Sequence, residues 1–249
     1  MRSDIRRMLE NLTGFRIYKQ PPRGADIFFD IARDLPHLEI KTVFDVGANI
    51  GQSAREYLRA FPGASISCFE PVASTFAQLT TNLRGEPSVK TYQLAFGANV
   101  GTETMSLEGP TSMFRLTAVA EAKGLVATAS KSEQVQVDTL DAFCAAHNVS
   151  RINYLKVDTE GADLAVLEGA AELLTGAAID LIQVETGIGI GEAWHVPLRE
   201  IQEYMATKRY QIFSLTEQHR SFTPPRPYLT RLDAVFISEE LAEGGTATN

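Results

Sequence analysis

Two acidic residues stand where predicted buried strands end. Asp45 lies inside an apolar run that stops at a turn containing Gly47 and Gly51, and Glu70 closes the next apolar run. Ligands of open parallel sheets bind at the carboxyl ends of the strands, and glycine lets the backbone approach a ligand closely. A carboxylate such as Glu70 can accept hydrogen bonds from both ribose hydroxyls. The spacing therefore predicts a nucleoside site.

Asn49 indicates which nucleoside cofactor fits this turn. A dinucleotide fingerprint would need glycine at positions 47, 49 and 52, but the chain has Gly47, Asn49 and Gln52. The missing middle glycine removes room for a pyrophosphate, and Asp45 would repel one, although it can hold an ammonium through water or backbone. Both points favour S-adenosylmethionine over a nicotinamide cofactor. Phe96, after the third strand, is placed near the adenine or in the core. The predicted cofactor residues are Asp45, Gly47, Asn49, Gly51, Glu70, Pro71 and Phe96.

Acidic residues also follow the predicted fourth and fifth strands. Asp158 leaves the fourth strand, Glu160 and Asp163 lie in the helical turn behind it, and Glu185 ends the fifth strand. A hydroxyl that accepts a methyl group needs a base or a metal. Asp158 is the leading candidate for the base, and Asp158 with Glu185 could bind Mg²⁺. The structural alternatives are a helix N-cap for Asp158 and helix-dipole stabilisation by Glu160 and Asp163.

Two histidines are alternative bases. His219 lies on the predicted loop between the last two strands, and His195 follows a glycine-containing segment suited to a substrate lid. A lone loop histidine is more often only a surface residue. The predicted catalytic residues are Asp158, Glu160, Glu185 and His219, with His195 as an alternative base.

Strand and helix patterns alternate along most of the chain. Beta-branched and aromatic runs at 41–46, 65–69, 89–94, 153–157 and 179–184 are separated by segments of helical periodicity. Alternation of this kind predicts a mostly parallel sheet with helices on both faces. A proline-rich loop joins the last two strands, 210–215 and 234–237, so we expect an antiparallel edge hairpin. The prediction is an α/β, Rossmann-like fold with a seven-stranded sheet.

Three segments depart from this rhythm. Residues 1–40 are predicted to be helical and packed on the core or on a second subunit, which leaves a homodimer open. The main α/β domain spans 41–238, with a β-rich insertion at about 98–150 after the third strand. The Gly- and Thr-rich tail, 239–249, is expected to be disordered.

Composition excludes several classes of protein. The 249 residues carry a net charge of −8, from 31 acidic against 23 basic residues, which argues against a nucleic-acid partner. No window is long and apolar enough to span a membrane. Cys68 and Cys144 show no metal-like spacing, so we expect a reducing, cytoplasmic environment.

Taken together, the motifs resemble the FkbM family of S-adenosylmethionine-dependent methyltransferases. The most specific segment is Leu-Lys-Val-Asp-Thr-Glu-Gly at 155–161. The segments that carry the resemblance are 43–51, 69–71 with Asn82-Leu83, 137–141, 155–161, 167–170 and the strand ending in Glu185. The resemblance implies a class I methyltransferase fold and O-methylation of a hydroxyl on a sugar, glycan or secondary metabolite.

Two other functions were considered. A catalytically inactive methyltransferase fold would bind the cofactor or a partner without transfer, but the intact Asp45, Gly47, Glu70 and Asp158 argue against such decay. A nicotinamide-dependent reductase is disfavoured by the failed glycine fingerprint.

Overall fold

A computed structural model describes residues 2–107, 115–116, 131–189, 194–222 and 225–244. The helices are α1 (Arg2–Thr13), α2 (Ile27–Asp34), α3 (Gln52–Ala60), α4 (Ala73–Asn82), α5 (Leu140–His147), α6 (Asp163–Glu168), α7 (Ala171–Thr175), α8 (Leu198–Thr207) and α9 (Glu239–Gly244). The strands are β1 (Thr42–Val46), β2 (Ser65–Phe69), β3 (Val89–Tyr92), β4 (Ala95–Phe96), β5 (Gly101–Ser106), β6 (Arg115–Leu116), β7 (Ser132–Asp138), β8 (Ile152–Val157), β9 (Ile179–Gly187), β10 (Tyr210–Phe222) and β11 (Pro225–Ser238).

The main sheet has seven strands in the order β3-β2-β1-β8-β9-β11-β10. Strands β3, β2, β1, β8 and β9 are parallel, and β11 runs antiparallel to both of its neighbours. This confirms the predicted mostly parallel sheet with an antiparallel edge hairpin. The order places β1 between β2 and β8, where the chain passes from one half of the sheet to the other, so the carboxyl ends of β1, β2 and β8 lie side by side.

Each face of the sheet buries its own apolar cluster. Phe44 and Val46 of β1 face a cluster with Phe69 and Leu155, whereas Val43 faces a second cluster that includes residues of α2 and α3. This division follows from the alternation of side chains along a strand. Asp45 shares the face of Val43 and is fully buried.

The insertion after β3 forms a second sheet. Its order is β4-β7-β5-β6, and Met105, Val135 and Val137 form a small core beneath it with Val72. Helix α5 lies within the predicted insertion, but Leu140 and Phe143 are part of the main core.

The ends of the chain differ in their packing. We predicted that residues 1–40 pack on the core. Helix α2 buries Ile27 and Ile31 there, whereas the apolar side chains of α1, including Met8 and Leu12, are exposed. The tail from residue 239 was expected to be disordered, but 239–244 form α9, and 245–249 lie outside the described residues. Within the described ranges, no helix is long and apolar enough to cross a lipid bilayer.

Two elements differ from the sequence prediction. The helix expected at 164–174 is divided into α6 and α7. The Asp141 carboxylate accepts the N–H groups of Glu172 and Leu173, in the first turn of α7. At the break, a side-chain Cβ on Gly169 would lie 2.1 Å from the Gly97 carbonyl oxygen. The last two strands are longer than expected, since β11 begins at Pro225, within the segment that we predicted to be a loop. Proline can occupy the end of a strand where no donor is needed.

Candidate active site

The carboxyl ends of β1, β2 and β8 border a cavity of about 310 Å³, called here the donor cavity. Its walls come from the turn after β1, the residues after β2, strand β4, the loop after β8 and the end of β9. The lining residues are Val46, Gly47, Ala48, Asn49, Gln52, Ser53, Glu70, Pro71, Leu94, Ala95, Phe96, Met105, Leu116, Lys156, Asp158, Thr159, Glu160, Ala162, Glu185 and Arg231. The structure therefore brings together most of the residues that the sequence singled out.

The turn after β1 is tight because of Gly47. Its φ is +84°, and a Cβ at this position would lie 1.8 Å from the carbonyl oxygen of Asp158. The backbone N–H groups of Gly47 and Ala48 both donate to the Phe69 carbonyl at 3.0 Å. Asn49 also has a positive φ, 48°, which asparagine tolerates better than most residues. Gly51 is not part of the cavity wall and begins α3 in the left-handed conformation.

Glu70 carries a buried carboxylate in the wall of the donor cavity. It accepts a hydrogen bond from the Val72 N–H at 3.0 Å. Burial raises the pKa of Glu70 to about 7, against the opposing effect of its backbone hydrogen bonds. Pro71 and Phe96 line the same wall. A carboxylate with acceptor capacity in this position suits a pair of ribose hydroxyls.

Asp45 lies behind the cavity rather than in its wall. Its carboxylate is fully buried, and neither oxygen has a hydrogen-bond donor among the described residues. Burial raises the pKa of Asp45 to about 6, while the charge of Lys156 acts in the opposite direction. Any contact with a cofactor ammonium would have to pass through water or backbone, as the sequence analysis expected, and this role remains a prediction.

Lys156 and Asp158 form an ion pair at the end of β8. Lys156 Nζ donates to Asp158 Oδ2 at 2.7 Å. Burial disfavours the charged form of both side chains. The charge and hydrogen bond of Lys156 nevertheless lower the pKa of Asp158, and the carboxylates of Asp158, Asp45 and Asp233 raise that of Lys156. Asp158 is therefore ionised at neutral pH and does not cap a helix.

The loop after β8 is held by Asp163. Its carboxylate accepts from Thr159 N at 2.9 Å, Thr159 Oγ1 at 3.0 Å and Gly161 N at 3.1 Å. These bonds hold Glu160 in a left-handed conformation, with φ 55°. The conformation places Glu160 in the wall of the donor cavity.

Glu185, near the end of β9, contacts two basic side chains. Arg231 donates to Glu185 Oε1 at 2.6 Å, and His195 Nε2 lies 2.9 Å from Glu185 Oε2. His195 Nε2 is also 3.9 Å from Glu160 Oε2. His195 is buried, so this histidine is not the surface residue that a loop position usually implies.

Glu160, Glu185 and His195 have ligand atoms within 4.8 Å of one another. Two carboxylates and an imidazole are a donor set that divalent cations accept. We predicted that Asp158 and Glu185 bind Mg²⁺, and this stays a prediction. Among the described residues, the geometry brings Glu185 together with Glu160 and His195 as a candidate donor set, while Asp158 is paired with Lys156.

A second cavity, of about 460 Å³, adjoins the donor cavity, and we call it the acceptor cavity. The two share Ser53, Lys156, Asp158 and Glu185. Its lining residues are Ala25, Asp26, Ile27, Phe28, Ser53, Glu56, Tyr57, Lys156, Asp158, Gln183, Glu185, Thr216, Glu217, His219 and Asp233. His219 lies on β10 rather than on a loop, and it borders this cavity without bordering the donor cavity.

Sequence reasoning gave no role to Lys156 or Arg231. Lys156 lies two residues before Asp158 in the same motif, so alternation along β8 was a usable signal for their proximity. No such signal existed for Arg231. Its approach to Glu185 depends on the register of β11 against β9, in which Asp233 is opposite Glu185.

The sheet order and the site at its centre define a class I methyltransferase. The family model of the FkbM methyltransferase domain matches residues 45–220. The chain therefore belongs to the FkbM methyltransferase family, and its cofactor is S-adenosylmethionine.

Two named relatives and two solved structures are similar to the chain. Methyltransferase 1 of Beauveria bassiana is 28% identical over 180 residues, covering 62% of this chain and 72% of that protein. Hexuronic acid methyltransferase AglP of Haloferax volcanii is 26% identical over 150 residues, covering 60% and 58%. M. capricolum TrmK in complex with S-adenosylhomocysteine has a TM-score of 0.46 at 6% identity, covering 84% of this chain and 68% of that one. The N-terminal domain of EvdMO1, solved with S-adenosylhomocysteine and D-fucose, has a TM-score of 0.45 at 10% identity, covering 95% and 97%.

Proposed function

We propose that this methyltransferase transfers a methyl group to a hydroxyl of a sugar or of a glycosylated metabolite. The observation that carries the proposal is the meeting of the donor and acceptor cavities at Lys156, Asp158 and Glu185. A donor held by the turn after β1 and an acceptor in the neighbouring cavity would react beside these side chains. The name of the Haloferax relative, a hexuronic acid methyltransferase, supports a sugar acceptor.

The chemistry required is an in-line displacement. The acceptor oxygen attacks the methyl carbon, the carbon–sulfur bond breaks, and the sulfonium becomes a neutral thioether. Alignment of the three atoms alone can lower the barrier by about 7–11 kcal/mol. The protein supplies this alignment through the rigid ends of β1, β8 and β9, which hold both cavities in place.

Asp158 is suited to orient the hydroxyl and to take its proton. As an ionised carboxylate with a lowered pKa, it is a good hydrogen-bond acceptor but a weak base. A weak base is sufficient here, because the hydroxyl proton becomes strongly acidic as the new carbon–oxygen bond forms. Lys156 keeps Asp158 ionised, and Glu185 lies beside it in both cavities.

A divalent cation at Glu160, Glu185 and His195 is a second way to activate the hydroxyl. When bound there it would polarise the acceptor oxygen and lower the pKa of the hydroxyl. The imidazole favours a transition metal over the Mg²⁺ that the sequence analysis proposed, since Mg²⁺ prefers oxygen ligands only.

The decisive experiment is the substitution Asp158→Asn, assayed with labelled S-adenosylmethionine and a pool of neutral and charged glycosides. We expect the wild-type protein to form a methyl ether, identified by NMR of the product. The variant should lose about 10²- to 10⁴-fold in rate while S-adenosylhomocysteine binds as before. Lys156→Met is the matched variant, because it removes the partner of Asp158 and leaves the carboxylate.

Two results would contradict the proposal. The first is methylation of nitrogen or carbon instead of oxygen. The second is cofactor binding with no transfer to any acceptor and no effect of Asp158→Asn, which is what an inactive binding module predicts.

A further inference from the structure

The acceptor cavity is strongly acidic. Beyond the central Asp158 and Glu185, four more carboxylates line it. Among the lining residues that the structure describes, Lys156 is the only lysine or arginine. The four further carboxylates are Asp26, Glu56, Glu217 and Asp233. The wall therefore carries many more negative than positive charges.

The cations near this cavity are already committed to other carboxylates. Lys156 is paired with Asp158, and Arg231 is paired with Glu185. Among the residues that the structure describes, no ion pair within 4.0 Å neutralises the four further carboxylates. Asp26 accepts the Phe29 N–H at the start of α2, and Asp233 accepts from the side-chain amide of Gln183, but neither bond removes the negative charge.

The same cavity has an aromatic wall. Phe28 is half-buried and contacts Tyr57 and Phe61 edge to face, with ring centroids 6.1 Å and 5.4 Å away. Its ring is therefore held in one orientation at the cavity wall. An aromatic ring beside polar side chains suits the apolar face and the hydroxyls of a sugar ring. The volume also falls in the range of small-molecule sites, roughly 300–1,000 Å³.

A cleft lined by one sign of charge concentrates its field and selects ligands by charge. We propose that the acceptor cavity takes neutral or amino-bearing sugar units and excludes units that carry a carboxylate. This inference rests on the proposed function and narrows it, since it separates this chain from a hexuronic acid methyltransferase. The selection arises from electrostatic repulsion between the carboxylate of such a sugar unit and the side chains of Asp26, Glu56, Glu217 and Asp233.

Three matched probes test the proposal: the methyl glycosides of glucose, glucosamine and glucuronic acid. Their binding to the protein saturated with S-adenosylhomocysteine is measured by calorimetry, and their methylation by product NMR. We expect the glucuronide to bind about tenfold more weakly than the glucoside at low salt, and the glucosaminide to bind at least as tightly as the glucoside. The difference should shrink at high salt, because ions screen the interaction.

The double substitution Glu56→Gln with Glu217→Gln should reduce the discrimination against the glucuronide severalfold. Glu86→Gln with Glu168→Gln, two exposed acids that line neither cavity, makes the same change in net charge and should leave the order of affinities unaltered. An equal effect in both double variants would assign the discrimination to net charge and overturn the proposal.

The remaining outcomes separate this inference from the proposed function. Efficient methylation of the glucuronide overturns the charge selection and leaves sugar O-methylation standing. Binding of S-adenosylhomocysteine without binding of any of the three probes overturns the assignment of this cavity to sugar units.

Discussion

The aspartate and glutamate side chains of this one site differ in the direction in which their pKa values are shifted. Burial, with a smaller effect of the Glu133 carboxylate, raises the pKa of Glu70 to about 7. Asp158 is ion-paired with Lys156, and its pKa falls below its usual range. These differences arise from the neighbours of each residue and not from its type, so each acid needs its own test.

The affinity for S-adenosylhomocysteine should increase as the pH rises from 6 to 8. Ribose hydroxyls donate hydrogen bonds, so they favour the ionised form of Glu70. That form is the minority below pH 7 in the ligand-free protein, because burial raises the pKa of Glu70 to about 7. We expect the dissociation constant to fall by up to about tenfold over this range and then to level off. Calorimetric titration at a series of pH values measures this.

Glu70→Gln is the matched variant for this experiment. Glutamine keeps an acceptor oxygen and cannot titrate. The variant should therefore bind S-adenosylhomocysteine more weakly than the wild-type protein at pH 8, with a dissociation constant nearly independent of pH. An unchanged pH dependence in the variant would assign the titration to another group.

Removal of metal tests whether the cluster formed by Glu160, Glu185 and His195 binds a divalent cation or is held together only by contacts among its own side chains. If the cluster binds a divalent cation, dialysis against a chelator abolishes methyl transfer, and Mn²⁺ or Zn²⁺ restores it. His195→Ala should then weaken metal binding about 10-fold or more, measured by calorimetry. Full activity after chelation would show that His195 acts instead through its contact with Glu185.

At the scale of elements, the junction of β1, its turn and α3 depends on Gly47. Gly47→Ala combines a positive φ with a Cβ 1.8 Å from the Asp158 carbonyl oxygen. Gly63→Ala also has a positive φ, +101°, but no atom lies within 4 Å of the added Cβ. We expect Gly63→Ala to cost about 1–2 kcal/mol of unfolding free energy from backbone strain alone. Gly47→Ala should cost more and abolish cofactor binding, measured by urea denaturation and calorimetry.

Equal costs at the two glycines would show that strain, and not the contact with Asp158, fixes Gly47. The comparison is informative because both positions follow strand or helix ends and differ mainly in the space around the new methyl group.

The elements themselves could largely be predicted from periodicity. The run at 41–46 contains the observed strand β1, and the turn and helix behind it occupy the expected residues. The break between α6 and α7 could not be predicted, because the first N–H groups of α7 bond to the Asp141 carboxylate, which is distant in sequence. The length of the β10–β11 hairpin was missed because proline was interpreted as the signature of a loop.

At the scale of the whole molecule, stability should fall as the pH rises from about 5 to 8. Burial raises the pKa of Asp45, Asp163 and Asp233 to about 6 and that of Glu70 to about 7. The folded state therefore binds more protons than the unfolded state between about pH 4 and 7. The free energy of unfolding decreases with pH wherever this holds, here by about 2–5 kcal/mol. Urea denaturation of the ligand-free protein at pH 5 and pH 8 measures the loss.

Asp45→Asn provides the control, because it removes one of the four titrating groups while keeping the shape of the side chain. Its stability should depend less steeply on pH than that of the wild-type protein. A stability that rises between pH 5 and 8 would contradict the assignment of these buried acids as the dominant titrating groups.

The donor half of the site was easier to predict than the acceptor half. Gly47, Asn49, Glu70, Pro71 and Phe96 line the donor cavity because they lie at strand ends, and strand ends are visible in a sequence. The acceptor cavity combines α2, α3, β10 and β11, whose juxtaposition depends on strand register and helix packing. The acidity of this cavity could therefore not be predicted, because the acidic residues that line it are distant from one another in sequence.

The second sheet contributes to the wall of the donor cavity, through Phe96 of β4, Met105 of β5 and Leu116 of β6. A cofactor bound in this cavity would contact the second sheet, so its binding and the docking of the sheet would be thermodynamically linked. A change that stabilises the docked sheet would then tighten cofactor binding to the extent that the undocked state is populated without the cofactor. The insertion can thus tune the affinity for the methyl donor through residues that never touch it.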